Sequence, residues 1–434
     1  MKNVFFALIF TILSSAIIFA QQVKVLSLKS SIEIALEKNT NVIQAQNNVD
    51  AAQGRVLSSY GNYLPTLSAT SGWSRSQQDK PTLFGVSNSF SSSLNLNYVI
   101  FDGLNRESGF NNAKAFAQSS EDKFIRTLQT VTNAVENSYL NVLRLERLVK
   151  VSEENLKRGN RQLERITESN KVGAVALADV YRQQSQVASD ELNLITAQNN
   201  FDKAKADLVS LIGLDISSEY QFVDPSISTT IDQTEIDSTQ KKYSNTSELN
   251  KRALSSRPDF LAAKEDYSST ESAVTQARSG YIPTVSASLS RSFFDNEFST
   301  LTNNKTTDWG IRVEWNLFDA FRTNQSLQSA IANRKSAEAS LAQTERDITV
   351  QVKKASLDLD AARKQVEVSQ KGLTSATEDR KIAEERYNLG AGTLLDLLIA
   401  NANLVNAQAN NINATHSYII AKRNLEYVLG ERTY

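Results

Sequence analysis

Asp308-Trp309-Gly310-Ile311-Arg312-Val313-Glu314-Trp315-Asn316-Leu317-Phe318-Asp319-Ala320 sets a large apolar side chain at every second position from Trp309 to Leu317, with Arg312, Glu314 and Asn316 between the later ones. Period-two alternation marks a strand with one apolar face. Downstream the period changes. A seam runs through Ile348, Val352, Ala355, Leu359, Ala362, Val366, Ser369, Leu373, Ala376, Arg380, Ala383 and Tyr387. Steps that alternate between four and three residues are a heptad. No proline interrupts 321–389, and Gly372 is its only glycine. The spacing predicts a strand at 308–317 feeding directly into a helix over 321–389, roughly 100 Å long at 1.5 Å per residue.

The construction occurs twice. Leu94, Leu96, Tyr98 and Ile100 alternate with Asn95, Asn97 and Val99, Phe101-Asp102-Gly103 follows, and a seam of the same spacing runs from Val131 to Asn170. Gly173 and Gly390, Asp179 and Asp396, and Gly213 and Gly430 are each about 217 positions apart. Tyr63-Leu64-Pro65-Thr66 matches Tyr281-Ile282-Pro283-Thr284 one position off that register. One structural unit has been duplicated, and its two copies fill the chain.

Composition narrows the function classes. Lys and Arg number 47 against 48 Asp and Glu in 434 residues, so there is no basic field for nucleic acid. The absence of cysteine excludes disulfides, thiol catalysis and a lipid-modified N-terminal cysteine. The one histidine, His416, reads as a solvated helix residue rather than the centre of a metal site or triad. No phosphate-binding loop, zinc-helix motif or nucleophile motif is present, so neither an enzyme nor a cofactor or metal is expected. Residues 1–20 read as a secretory signal peptide: Lys2, an apolar run from Phe5 to Phe19, then Ala20 before Gln21. That run is short for a membrane anchor.

In order, the first copy (21–247) is expected to hold a helix at 31–62, strands at 66–75 and 91–100, a long helix at 104–172, a helix at 174–212 and an irregular insert at 213–247. The second copy (248–434) repeats a helix at 248–280, strands at 284–293 and 308–317, a long helix at 321–389 and a helix at 393–429. Pro65 and Pro283 end the leading helices, and Phe101-Asp102 and Phe318-Asp319 join strand to helix. Val172-Gly173-Ala174 and Leu389-Gly390-Ala391-Gly392 are tight turns of αα-hairpins. Each copy can lay one continuous helix beside two stacked shorter ones, a rod with strands at one end and turns at the other.

Strands this short cannot hide an apolar face inside a globule while launching such helices. In a bilayer a strand must belong to a closed barrel, and transmembrane barrels have at least about eight strands. Four strands per chain therefore require several chains to share one barrel. Trp73, Phe293 and Trp309 toward the loops, and Tyr98, Phe101, Tyr281, Trp315 and Phe318 toward the helices, make two aromatic girdles. Arg291 has lipid-face parity and must lie at the rim or at a bulge. The alternative is a soluble β-sandwich cap on a coiled coil.

At this point the chain resembles the TolC family of outer-membrane efflux and secretion channels. The resemblance covers essentially the whole mature sequence. It rests on Leu26-Ser27-Leu28 with Ala35-Leu36-Glu37-Lys38-Asn39, on Arg257-Pro258-Asp259, and on the two Tyr-(Leu/Ile)-Pro-Thr segments. It rests too on Asn316-Leu317-Phe318-Asp319, on Val172-Gly173 with Asp179-Val180, and on Tyr387-Asn388-Leu389-Gly390 with Asp396-Leu397-Leu398. It implies a mainly α fold with a transmembrane β-barrel portion, a homotrimer closing about twelve strands, and a periplasmic α-helical tunnel. It also implies a periplasmic adaptor, an inner-membrane transporter of the RND, ABC or MFS type, and outer-membrane lipid as partners, with no nucleic acid. The turn end is then the narrowed entrance and the adaptor-docking surface. Asp396 matches a constricting aspartate of the family and Tyr387 a tethering tyrosine. The second constricting aspartate is replaced by Ile399, and the basic tether position is Gly392.

Two readings of Asp179 and Asp396 stand side by side. Either they complement helix dipoles near helix starts, or copies of them meet on a symmetry axis and form a gate. For the chain as a whole the favoured reading is a passive efflux duct. The alternative is a non-conducting structural coiled coil of the outer membrane.

Overall fold

The computed structural model describes residues 24–77, 86–224 and 232–432. The signal peptide read over 1–20, the strand loop at 78–85 and part of the insert at 225–231 lie outside the described residues. In chain order the elements are β1 (Lys24–Leu26), α1 (Leu28–Lys38), α2 (Thr40–Gly61), β2 (Thr66–Gln77), β3 (Val86–Phe101), α3 (Asn105–Lys171), α4 (Leu177–Ile212), β4 (Tyr220–Phe222), α5 (Gln233–Lys242), α6 (Thr246–Ser256), α7 (Pro258–Arg278), β5 (Thr284–Asp295), β6 (Lys305–Glu314), α8 (Arg322–Asn388) and α9 (Leu394–Val428). Among the described residues no helix is long and apolar enough to cross a membrane.

Several sequence expectations change. The single helices read at 31–62 and 248–280 are each two helices. Asn39 breaks the first: it is extended, and its side chain accepts from the Asn41 N–H as an N-cap. Arg257 breaks the second, extended (φ −76°, ψ 121°) because Pro258 disfavours the α region before it. The insert at 213–247 is not irregular. It holds β4, which pairs in parallel with β1 through Lys24↔Tyr220 and Leu26↔Phe222, and also α5. A strand of 3 residues is too short to declare a period. The strands at 66–75, 91–100 and 284–293 extend to Gln77, Val86–Phe101 and Asp295, because the Ser- and Asn-rich flanks read as loop still pair. Pairing of the strand read at 308–317 stops at Glu314, opposite Thr284. The next partner is Pro283, which has no N–H.

The sheet order β2-β3-β5-β6 interleaves the two copies, since β3 of the first pairs with β5 of the second. Register puts the apolar residues in common rows: Leu67–Leu96–Leu289–Trp309, and beside it Tyr98–Ala287–Ile311. The opposite face carries rows such as Ser68–Asn95–Ser290–Asp308. There Ser290 Oγ donates to Asn95 Oδ1 at 2.9 Å. A bulge between Val99 and Phe101 brings Phe101, not Ile100, opposite Val285. Trp309 shares its row with Leu67, well away from the Trp73–Phe90 row, so the loop-end girdle is not one straight band.

Two compact units result: residues to Ala35 with Val135–Thr229, and Leu36–Ala134 with Thr230–Tyr434. They do not follow the repeat boundary. In the first, Tyr139 is fully buried, its hydroxyl donates to the Leu26 carbonyl at 2.9 Å, and its ring meets Phe222 edge-on. In the second, the α8 seam from Ile348 to Val366 is buried against Tyr418, Leu425 and Val428 of α9 and Leu249, Ala253 and Phe260 of α6 and α7. From Ser369 to Tyr387 every seam position is half-buried while most flanking ones are exposed. His416, read as solvated, is also half-buried on α9. Arg257 is almost fully buried in the helix break, with Nη2 on Asp259 at 2.6 Å and Nη1 on Gln351 at 2.8 Å.

Candidate functional site

Three places gather the residues singled out in the sequence: two hairpin turns, one in each unit, and the strand-to-helix junctions. The long helices α3 and α8 are 67 residues each. The Asp319 junction therefore lies roughly 100 Å along α8 from the Gly390 turn.

At the first turn, α3 ends in a Schellman cap. Gly173 is left-handed (φ +76°), its N–H bonds the Asn170 carbonyl, and the Ala174 N–H bonds that of Ser169, both at 2.9 Å. Val172 is 80% exposed. Ala174 belongs to the turn rather than to a helix starting at 174, because α4 begins at Leu177 after Ala176, which offers no side-chain cap. Asp179 sits in the first turn of α4 and is held by Arg182 Nη1 at 2.6 Å.

The second turn repeats this geometry. Gly390 (φ +71°) bonds the Tyr387 carbonyl at 3.1 Å and Ala391 bonds that of Arg386 at 2.8 Å. Leu389 is 82% exposed. Gly392 is a close approach: a Cβ there would lie 3.2 Å from Arg386 Cβ and 3.3 Å from the Tyr387 nitrogen. Tyr387 is half-buried on the α8 seam.

Beyond that turn the two copies diverge. Thr393 caps α9 and forms a capping box with Asp396: Asp396 N–H donates to Thr393 Oγ1 at 3.1 Å, and Thr393 N–H and Oγ1 donate to Asp396 Oδ2 at 3.0 and 2.8 Å. These bonds, with a smaller contribution from Arg386, hold the Asp396 carboxyl below its ordinary range. Asp396 is exposed, as are Leu395 and Ile399 beside it, while Leu394, Leu397 and Ala400 face the packed side. Ile399 stands where the first copy has Arg182, so Asp396 lacks the neighbouring cation that holds Asp179. The Thr-x-x-Asp spacing was a readable capping signal. The ion pair in the other copy joins residues at i and i+3, a spacing that allows the contact without declaring it.

The junctions are built by carboxylates. Asp102 Oδ2 accepts from the Arg106 N–H and Nε, both at 3.1 Å, while Arg106 Nη1 donates to the Val99 carbonyl at 2.6 Å. Asp319 Oδ2 accepts from the Thr323 N–H at 2.7 Å and Oγ1 at 2.5 Å. Gly103 and Leu104 are left-handed in the first copy, and Ala320 and Phe321 in the second. Non-glycine residues bear a steric penalty there, and Ala-Phe gives no sequence signal for that conformation. Phe101 and Phe318 remain exposed beside these turns. Pro65 and Pro283 each precede the first paired strand residue, Thr66 or Thr284.

A helix–strand–long helix–hairpin order, used twice around one sheet with an apolar face, is now in view. The sequence profile of the outer membrane efflux protein family matches it at 31–214 and again at 249–431. The chain belongs to this outer membrane efflux protein family. Outer membrane protein TolC of Salmonella enteritidis is 23% identical over 390 residues, which cover 88% of this chain and 77% of that protein. The pyoverdine export outer membrane protein OpmQ of Pseudomonas aeruginosa is 24% identical over 398 residues, covering 88% and 80%. Among solved structures, the CmeC outer membrane channel of Campylobacter jejuni superposes with a TM-score of 0.79 at 21% identity, covering 93% of this chain and 85% of that one. This family member is thus an efflux channel protein of the outer membrane, with the fold of that solved channel. Among the described residues its sheet is not closed within one chain, because β2 and β6 each pair on one edge only.

Proposed function

We propose that three copies close one barrel and act as the passive exit duct of a tripartite efflux or type I secretion system. The supporting observation is the open sheet: one apolar face and two unpaired edges, continuous with helices too long to belong to a compact globule. Unpaired strand edges are not tolerated in hydrocarbon, and three sheets of this size reach a known barrel class. The chain is read as a conduit and not as an enzyme. The exposed turns Val172-Gly173-Ala174 and Leu389-Gly390-Ala391-Gly392 are the docking surface for a periplasmic adaptor, and through it for an inner-membrane RND, ABC or MFS transporter. Asp396 lines the periplasmic constriction with Tyr387 and Ile399. It is exposed and ionised with no adjacent counter-charge on its own helix, and a three-fold axis would crowd its copies. Asp179, already paired with Arg182, has the lesser part in the gate.

Single-channel recording in planar bilayers tests the duct. Conductance that rises when the constriction is loosened by a polar residue at Ile399 is expected. A protein that inserts as an oligomer yet never conducts would favour the structural coiled-coil reading.

A further inference from the structure

The apolar face of the sheet does not stay apolar along its whole length. On β6 it carries Val313, Ile311 and Trp309, then Thr307 and Lys305. On β5 it carries Val285, Ala287 and Leu289, then Arg291. Arg291 lies opposite both Leu94 and Thr307, and Lys305 lies opposite Phe293. Residues diagonal across neighbouring strands are ~7–8 Å apart, so the two cations are neighbours on the outward face. Arg291 Nη1 donates to Thr307 Oγ1 at 2.8 Å, and its guanidinium stands 5.9 Å from the Phe293 ring centroid. The guanidinium is thus aimed and partly braced, with further N–H donors to spare.

Depth agrees with this placement. From Trp315 to Thr307 is eight residue steps, about 26 Å along the strand and about 20 Å of height at a 40° tilt. The apolar band of such barrels is about 25 Å tall. Arg291 therefore sits close to the band's loop-side edge, within reach of the headgroups by snorkelling. A cation there costs little, whereas at the midplane it is strongly destabilising. Among the described strand residues the one carboxylate on this face is Asp295, and it accepts from the Asn296 N–H and Asn304 Nδ2. Across the sheet from Lys305 the row runs through Phe293 to Ser92 and Ser71, whose hydroxyls bond each other at 2.8 Å.

We propose that Arg291 and Lys305 form a lipid-facing site for the phosphate of an outer-leaflet glycolipid, with the Ser71 and Ser92 hydroxyls facing its sugar. The helices leave the opposite end of the sheet, so the loop end faces the outer leaflet, and sugar hydroxyls suit serine and threonine better than a simple phospholipid headgroup would. This inference rests on the barrel reading above, and the two can fail separately.

The test reconstitutes the full-length oligomer in phosphatidylcholine nanodiscs doped with a bisphosphorylated glycolipid, its dephosphorylated form, or phosphatidylglycerol. Native mass spectrometry counts bound lipid, and gel mobility of the unheated sample reports assembly. The unmodified protein should retain the phosphorylated glycolipid about tenfold better than either comparison lipid, the scale of one lost charge-assisted contact. The Arg291→Gln/Lys305→Gln variant should lose that preference. Equal retention of the three lipids, or undiminished retention by the assembled variant, overturns the site. The lipid comparison on unmodified protein stands even where the variant fails to assemble. An unmodified protein that forms no oligomer overturns the barrel reading instead.

Discussion

Alanine at Gly103 and alanine at Gly390 separate two demands that a turn can place on glycine. Both residues are left-handed, at φ +66° and +71°, so each alanine meets the ~1–2 kcal/mol penalty of L residues there. A less flexible unfolded chain offsets ~0.4–1 kcal/mol of it. At Gly390 nothing lies within 4 Å of the new methyl, so the net loss is about 1 kcal/mol. At Gly103 the methyl would fall 2.7 Å from Ile282 Cβ and 3.0 Å from its Cγ2. Displacing that side chain adds ~1–3 kcal/mol, for a total of about 2–4 kcal/mol. Thermal unfolding of the detergent-solubilised protein, followed by far-ultraviolet circular dichroism, measures both. The Gly103 variant should melt clearly lower than the Gly390 variant. Equal depression, or a larger one at Gly390, would refute the claim that the junction is packed and the turn free. A bulkier Gly390→Val change should then abolish export while oligomers persist, since the exposed turn is proposed to be used by a partner and not by the fold.

Ala320→Gly relieves a left-handed alanine (φ +54°) at the second junction and should raise stability by up to ~1 kcal/mol, read as a higher melting temperature. Asp396→Asn should weaken block by a trivalent cation and lower cation selectivity in bilayer recordings, while Asp179→Asn leaves both unchanged; the reverse ranking would remove Asp396 from the gate. Asp259→Asn should cost about 3 kcal/mol, because Arg257 is left buried without its carboxylate. Burial raises the Asp259 carboxyl, but the Arg257 bonds and the Arg126 and Arg257 charges outweigh it and hold it below the ordinary value of 3.8. With the folded value depressed, its stabilisation is fully present above about pH 4 and fades as pH falls through that lowered value. The unmodified protein should therefore lose stability to acid that the Asn variant, already lacking the pair, does not.

The periodic parts of this chain were legible because burial follows spacing. The α8 seam from Ile348 to Val366 is the buried face, and the alternation of Leu94, Leu96 and Tyr98 sets the outward rows of the sheet. What escaped reading depends on single residues or on partners remote in sequence. One capping side chain at Asn39 and one proline effect at Arg257 divided two helices, and neither disturbs the apolar period. β4 exists because Tyr220 and Phe222 meet β1 nearly two hundred positions away. At the candidate gate, the sequence located Asp179 and Asp396 at equivalent places. The Thr393-x-x-Asp396 spacing is itself a capping signal, whereas whether Asp179 closes on Arg182 depends on side-chain geometry. Left-handed Ala320 and Phe321 follow from the demands of the strand-to-helix turn and not from their own preferences.

The number of chains that share one barrel bears most directly on the account. Cross-linking of the protein extracted from membranes in mild detergent, with the particle mass measured in parallel, should give three chains per particle and a barrel that resists unfolding until the oligomer is heated. A stable single chain that keeps its full strand content in the membrane would contradict it, since four strands with two free edges cannot close on their own.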